Sequence, residues 1–497
     1  MKRGTIRQIS WNVSALADTL TTQAVDRPRL LLERVMLEVP GTTIAAAVPS
    51  PEITPPPTSA IEEAKVLLRV AAEVEGALMV QYLYAAYSIL PGVTVTAPPI
   101  PASINSDDWY DLIRDIAKQE MGHLVTVQNL LLSLGEAPHL DRENFPWLNS
   151  DLYPFPFHLQ VLGLDTLAKN VTAEAPRSVA ASDLADYTEA AARAATVAGQ
   201  VSRVGQIYER LYFLFQDTDQ PQAPWTNLVN PFADWPSWHV ADSLLGFNQD
   251  RQAQPNEWRG DDATIPLDTA IYVLPIMDKA SARKAIFTVA QQGEGTPSGE
   301  GIDAHFEKFL RVYREFRAYS SQAGAPAMVR NQATDPRTDP GSTGTIIDPV
   351  TKLWAQLANG RYQMLLMDIA LALSTGNSGS VPGTTAFRHD FIGWAIGIEM
   401  LMAVKKLGEE LRSMPVNQNA PPDSVRAGLP FELPEDTDLP DSIPEQVARL
   451  RQLVAQSTAI RASIRQSGNP TPRQQGLLAV LDNADSSISQ KIGHDMD

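Results

Sequence analysis

WYDLIRDIAKQEMGHLVTVQNLLLSLG, residues 109–135, is the stretch whose reading decides the fold. Its apolar residues Trp109, Leu112, Ile113, Ile116, Val127, Leu130, Leu131 and Leu134 advance in steps of three and four. That is the spacing of one buried helix face. Continued past Ile116, the face reaches Glu120 and His123. A carboxylate buried without a partner is strongly disfavoured, so it neutralises or finds a cation. Residues three apart on a helix are neighbours, so Glu120 and His123 can reach one divalent ion together. The same Glu-x-x-His spacing recurs at Glu136 and His139. Gly135 and Pro138 place that second match in a loop without fixed geometry, and His139 reads as structural.

Upstream, the Pro-rich VPSPEITPPPTS leads to Ser59, a candidate N-cap with Glu62 completing a capping box. A helix is predicted from there to about Leu90, stopped by Pro91-Gly92. Its stripe of Leu68, Ala71, Glu75, Leu78, Tyr82 and Ile89 points Glu75 inward. Glu73 falls off the stripe and is expected in solvent.

Four-helix di-metal carboxylate sites take a bridging Glu from each of two helices and Glu-x-x-His from each of the other two. A strict second match is missing here, so the remaining candidates are argued singly. One helix is predicted across 182–215, placing Glu209 beside Tyr208 near the stripe of Val201, Gly205, Tyr212 and Phe215. Gln206 is the alternative. Helical signal returns at 278–292, breaks at QQGEGTPSGEG, and resumes over 302–320. There His305, Phe309, Val312 and Phe316 share a face, which turns His305 inward and leaves Glu307, Lys308, Arg311 and Arg314 wetter. Glu294 is the carboxylate companion of His305, returned by a loop, with Glu300 and Asp303 as alternatives. Tyr82, Tyr84 and Tyr208 are candidates to line a pocket or relay electrons.

The pattern is mainly α. Residues 1–60 read as irregular, 61–320 as the metal-binding bundle and 321–348 as a Pro/Gly/Thr/Asp-rich linker. Helices near 349–375 and 387–413, within 349–435, are expected to pack on the bundle, and 436–497 is a polar helical tail. The stretches 136–177 and 217–266 read as long irregular excursions.

The chain has 497 residues, a formal charge of −18, seven histidines and no cysteine. The negative charge argues against nucleic acid and anionic membrane as partners. Without cysteine there are no disulfides, thiolate metal sites or Fe–S clusters. Any metal site must then be rich in Asp or Glu, and hard oxygen ligands with few imidazoles suit Fe or Mn better than Cu. No stretch approaches a membrane span, so a cytoplasmic protein is expected.

The segments EVEGALMVQYLYAAYS, IAKQEMGHLVTVQNLLLSLGEAPHL, VGQIYERL, QQGEG with the following AHFEKFL, and RAGLPFE near residue 426 resemble a known family. It is the ferritin-like family of the iminophenyl-pyruvate dimer synthases, which act in violacein and indolocarbazole biosynthesis. The resemblance implies a ferritin-like four-helix bundle with Glu75, Glu120, His123, Glu209, Glu294 and His305 as ligands of two Fe ions, or Mn. It also implies an O2- or peroxide-dependent oxidation of a small aromatic, amino-acid-derived metabolite such as an imine of a 2-oxo acid. The partners expected are that substrate and O2, with a homodimer as the candidate assembly. Two rival classes are an iron-handling protein and a ferritin-like binding module without metabolite oxidation.

Overall fold

The computed structural model describes residues 59–96, 103–147, 153–199, 201–226, 230, 237–258, 271–294, 304–340, 344–376, 384–421, 423–434, 439–440, 442–467 and 469–494. The irregular amino-terminal segment expected before residue 59 lies outside them, as do Glu300 and Asp303.

Two helices of 28 residues form the frame: α1, Ala60–Tyr87, and α2, Ser106–Ser133. Ser59 caps α1 by accepting from the backbone N–H of Glu62, and Asn105 caps α2 by accepting from that of Asp107. Each cap satisfies an amide that the first helical turn leaves unpaired. Helix α1 ends at Tyr87, slightly short of the expected Leu90. Just beyond it Ile89 forms an antiparallel bridge with Val329, far along the chain. A two-residue antiparallel ladder, Thr94–Val95 with Ile104–Asn105, then leads into α2.

The segment 136–177, expected to be irregular throughout, holds a helix: α3, Leu164–Ala173. The single helix expected over 182–215 is two. Helix α4 is Leu184–Ala198 and α5 is Gly205–Leu214. The break begins at Gly199, whose φ of 72° takes the chain out of the helical region. Helices α6, Lys279–Glu294, and α7, His305–Ser320, follow as expected. Helix α5 packs on α1 and α6, while α7 packs on α2, α3 and α6. The core between them is continuous and apolar.

The expected linker is stitched into the fold. Leu90 donates to the Met328 carbonyl at 2.8 Å and Arg330 to that of Ser88 at 2.7 Å. Asp335 accepts from the Leu159 amide at 2.7 Å and lies 2.7 Å from His158 Nδ1. The RAGLPFE segment runs alongside: Ala333 donates to the Arg426 carbonyl, and Gly428 gives the Tyr84 ring room to reach the Ala333 carbonyl.

Helix α8, Pro349–Ser374, starts at an Asp348 cap. Helix α9, Thr384–Gly393, passes into a π-helical stretch, Trp394–Val404, and then α10, Lys405–Leu411. Helices α11, Ile443–Ser467, and α12, Pro472–His494, complete the chain's described part. Arg361 of α8 pairs with Glu399 of the π stretch and with Asp485 of α12, which also takes Arg461 of α11 at 2.6 Å. Helix α10 meets α1 closely, with Gly408 against the Tyr87 ring. No helix of the described residues is long and apolar enough to cross a membrane.

Candidate metal centre

Glu75 of α1 and Glu120 and His123 of α2 are buried and converge, as their helical stripes require. His305, the first residue of α7, joins them from the far side. The fifth member was not anticipated: Glu174, the residue that ends α3. Its signal is present in the sequence. Leu164, Leu167, Ala168 and Val171 keep helical spacing, and Glu174 is the next position on that face.

The five side chains form two groups that share Glu120: Glu75, Glu120 and His123, and Glu120, Glu174 and His305. Within each group the donor atoms lie within 4.8 Å of one another. His123 Nδ1 is 2.9 Å from Glu120 Oε2 and 3.4 Å from Glu75 Oε2. His305 Nδ1 is 3.0 Å from Glu120 Oε1 and 3.7 Å from Glu174 Oε2. Glu120 thus gives one oxygen to each imidazole, and the two rings stand 5.5 Å apart.

Hydrogen bonds around the group hold its outer atoms. Tyr208 donates to Glu75 Oε1 and Tyr82 to Glu174 Oε1. The Nε2 atoms of His123 and His305 meet Gln292 Oε1 at 2.8 Å and Gln119 Oε1 at 3.0 Å. Tyr84 is elsewhere, donating to the Ala333 carbonyl.

Two glycines set the spacing. A Cβ on Gly122, inside the EMGH motif, would stand 2.7 Å from the Tyr272 carbonyl oxygen, so the glycine admits a backbone segment against α2. A Cβ on Gly293 would stand 2.9 Å from Glu174 Oε2. Glu75, Glu120, His123, Glu174, Tyr208 and Gly293 line a small cavity.

Burial and the mutual proximity of the carboxyls and imidazoles shift the titration of the whole cluster. Burial, then the Glu120 charge, pushes the Glu75 carboxyl up to about 8. Burial raises Glu120 too, but His305 and His123 outweigh it and hold this carboxyl below its usual range. Burial lowers both imidazoles, yet Glu120 and the neighbouring carboxylates leave them raised.

The donors fit a pair of cations. Glu75 Oε2, Glu120 Oε1 and His305 Nδ1 are buried with no hydrogen-bond partner among the described residues. His305 Nδ1 and Glu120 Oε1 approach to 3.0 Å without hydrogen-bond geometry, the relation of two ligands of one ion. Native interiors seldom leave such atoms unsatisfied unless a water or ion is to be held there.

Other expectations fall differently. Glu209 stands apart: its carboxylate meets Arg203 at 3.1 Å and Arg177 at 3.7 Å. It is Tyr208, on the stripe of Gly205, Tyr212 and Phe215, that faces the group. Gln206 is buried but does not line the cavity. Glu294 closes α6, and its side chain lies outside the described residues. Glu73 is buried, accepting from Tyr153 at 2.8 Å and meeting His139 at 2.9 Å. Lys308, expected on the wet side, is buried against Gln119. The decoy carboxylate Glu136 pairs with Lys65 and Arg69.

Residues 68–314 match the family model described as Ferritin-like. The chain is 24% identical over 443 residues to dichlorochromopyrrolate synthase of Lentzea aerocolonigenes, covering 82% of this chain and 39% of that protein. It therefore spans about two fifths of this relative's length. A solved ferritin-like protein from Caulobacter vibrioides is 18% identical, with a TM-score of 0.36, over 71% of this chain and 98% of that one.

Proposed function

Because this chain is a ferritin-like protein, we propose that it is a di-metal oxidoreductase acting on a small aromatic metabolite. The observation that carries the reading is the division of Glu120 between two carboxylate–histidine groups, one oxygen to each. In this reading Glu75 and His123 would hold one ion and Glu174 and His305 the other, with Glu120 shared between them. Two ions of iron, or of manganese, held there would supply O2 binding and the removal of electrons in pairs. The oxygen-rich donor set without thiolates supports these metals.

The protein's own groups do the positioning. Tyr208 and Tyr82 donate to the outer oxygens of Glu75 and Glu174, which turns the inner oxygens toward the cavity. Leu78, Val204, Gly205, Val289 and Ala290 complete its wall, and the donors are buried. Three carboxylates leave two divalent ions with excess positive charge. Glu294, next in the chain to Gly293 at the cavity wall, is the candidate to supply the missing anion.

The relative named as a pyrrolate synthase supports an aromatic acid, such as the imine of a 2-oxo acid, as the substrate class. Joining two such molecules by one new bond releases two electrons and two protons. O2, named here as the oxidant, takes them up as hydrogen peroxide.

The test is to load purified protein with ferrous iron anaerobically and then admit O2. Uptake of O2 with an oxidation-linked absorbance change is expected, and both disappear in Glu120→Gln. Iron-loaded protein that consumes no O2 overturns the reading.

A further inference from the structure

Lys308 lies one helical turn beyond His305 on α7, buried, with its ammonium 3.1 Å from Gln119 Oε1. The same oxygen meets His305 Nε2 at 3.0 Å. A lysine ammonium has donors only, so it fixes which end of the Gln119 amide turns toward it. The carbonyl oxygen must face Lys308, and through it His305 Nε2. An oxygen accepts, so His305 carries its proton on Nε2. Its Nδ1 lone pair then points at Glu120 and Glu174, toward the cavity side of the ring.

The other imidazole has no such cation behind its Nε2 partner among the described residues. His123 Nε2 meets Gln292 Oε1 at 2.8 Å, and Gln292 is only partly buried near the end of α6. Among the described residues no cation orients that amide. Either end of Gln292 can face His123, so among the described residues nothing holds a proton on its Nε2.

We infer that Lys308 is a positioning residue: acting through Gln119, it locks the His305 tautomer and makes Glu120, Glu174 and His305 the tighter of the two metal sites. This rests on the metal-centre reading above. Outer partners of a ligating histidine fix its ring and tautomer, and their loss typically costs about 10–100-fold in metal affinity.

The experiment is a cobalt(II) titration of the full chain, freed of metal by chelation, followed by d–d absorbance and by metal content. Wild-type protein is expected to bind in two steps. His305→Ala marks which step belongs to the His305 site, and His123→Ala marks the other. Lys308→Met is expected to weaken the His305 step by about 10–100-fold while the His123 step stands. Lys308→Arg, still a donor-only cation, retains both. Gln119→Met removes the acceptor and should lose the same step, and it carries the test alone if Lys308→Met does not fold. Two steps left intact by both variants, or both steps weakened equally, overturn the inference while the metal reading stands. Wild-type protein that binds no cobalt overturns the metal reading itself.

Discussion

Glu174 and Glu209 are chemically the same side chain, and their surroundings give them different work. Glu174 ends a helix inside the apolar interior, with His305 on one side and the Tyr82 hydroxyl on the other. Glu209 is answered by two arginines. Glu174→Ala is therefore expected to lower bound iron from two ions to one, by elemental analysis, while Glu209→Ala leaves two. Equal losses in both variants would return Glu209 to the centre. Glu75, Glu120, His123 and His305 were legible in the sequence because each continues an apolar stripe that a long helix makes unambiguous. Glu174 was not, because its ten-residue helix is embedded in a segment rich in proline and aromatics. Glu209 sits one position off the inward stripe of Gly205, Tyr212 and Phe215, which passes through Tyr208, and its arginine partners come from other segments that spacing does not bring together. Glu73 and Lys308 look solvated by periodicity alone. Their burial depends on Tyr153, His139 and Gln119, partners that sequence spacing does not bring together.

At the level of elements, α2 has to satisfy two demands at once. It presents Glu120 and His123 to the centre, and between them it lets the Tyr272 backbone pass at Gly122. A glycine inside a helix ordinarily costs roughly 0.5–1 kcal/mol relative to alanine. At Gly122 the added methyl would meet a backbone carbonyl at 2.7 Å, which cannot rotate away. Overpacking of this kind costs about 1–3 kcal/mol and outweighs the helical gain. Gly122→Ala is thus expected to destabilise the protein in urea titrations, whereas Gly76→Ala in α1, with nothing within 4 Å, should stabilise it by roughly 0.5–1 kcal/mol. Stabilisation by both would mean that Tyr272 does not lie against α2. The long helices were readable from caps and periodicity, including the Ser59 cap, whereas α3 and the break between α4 and α5 were not. The π-helical stretch at Trp394–Val404 was not, because a run this apolar carries no phase to distinguish five-residue from four-residue bonding.

Across the whole molecule, the metal-centre helices and the carboxy-terminal helices solve the problem of buried charge in two ways. The first group gathers carboxylates and imidazoles around a cavity. The second pairs Glu399 and Asp485 with Arg361 and Arg461. One carboxyl of α8 is left over: Asp368 is buried, and neither oxygen has a hydrogen-bond partner among the described residues. Burial, then the Glu399 charge, raises it well above the ordinary aspartate value. A carboxyl whose pKa is higher folded than unfolded contributes its full stability below the unfolded value, about 3.9. That contribution is lost as pH rises toward the folded value. Asp368→Asn, neutral at every pH, should therefore gain stability over wild type progressively from pH 5 to pH 8 in metal-free protein. A difference that does not change with pH would show that Asp368 is ionised in the fold. The central claim concerns the cavity walled by α1, α2, α5 and α6, with Glu174 at its edge and His305 beside Glu120 and Glu174, and anomalous diffraction at the iron edge from iron-loaded crystals tests it most directly. Two peaks are expected, one among Glu75, Glu120 and His123, the other among Glu120, Glu174 and His305. No peak in that cavity, or Glu120 turned away from any that is found, would contradict the account.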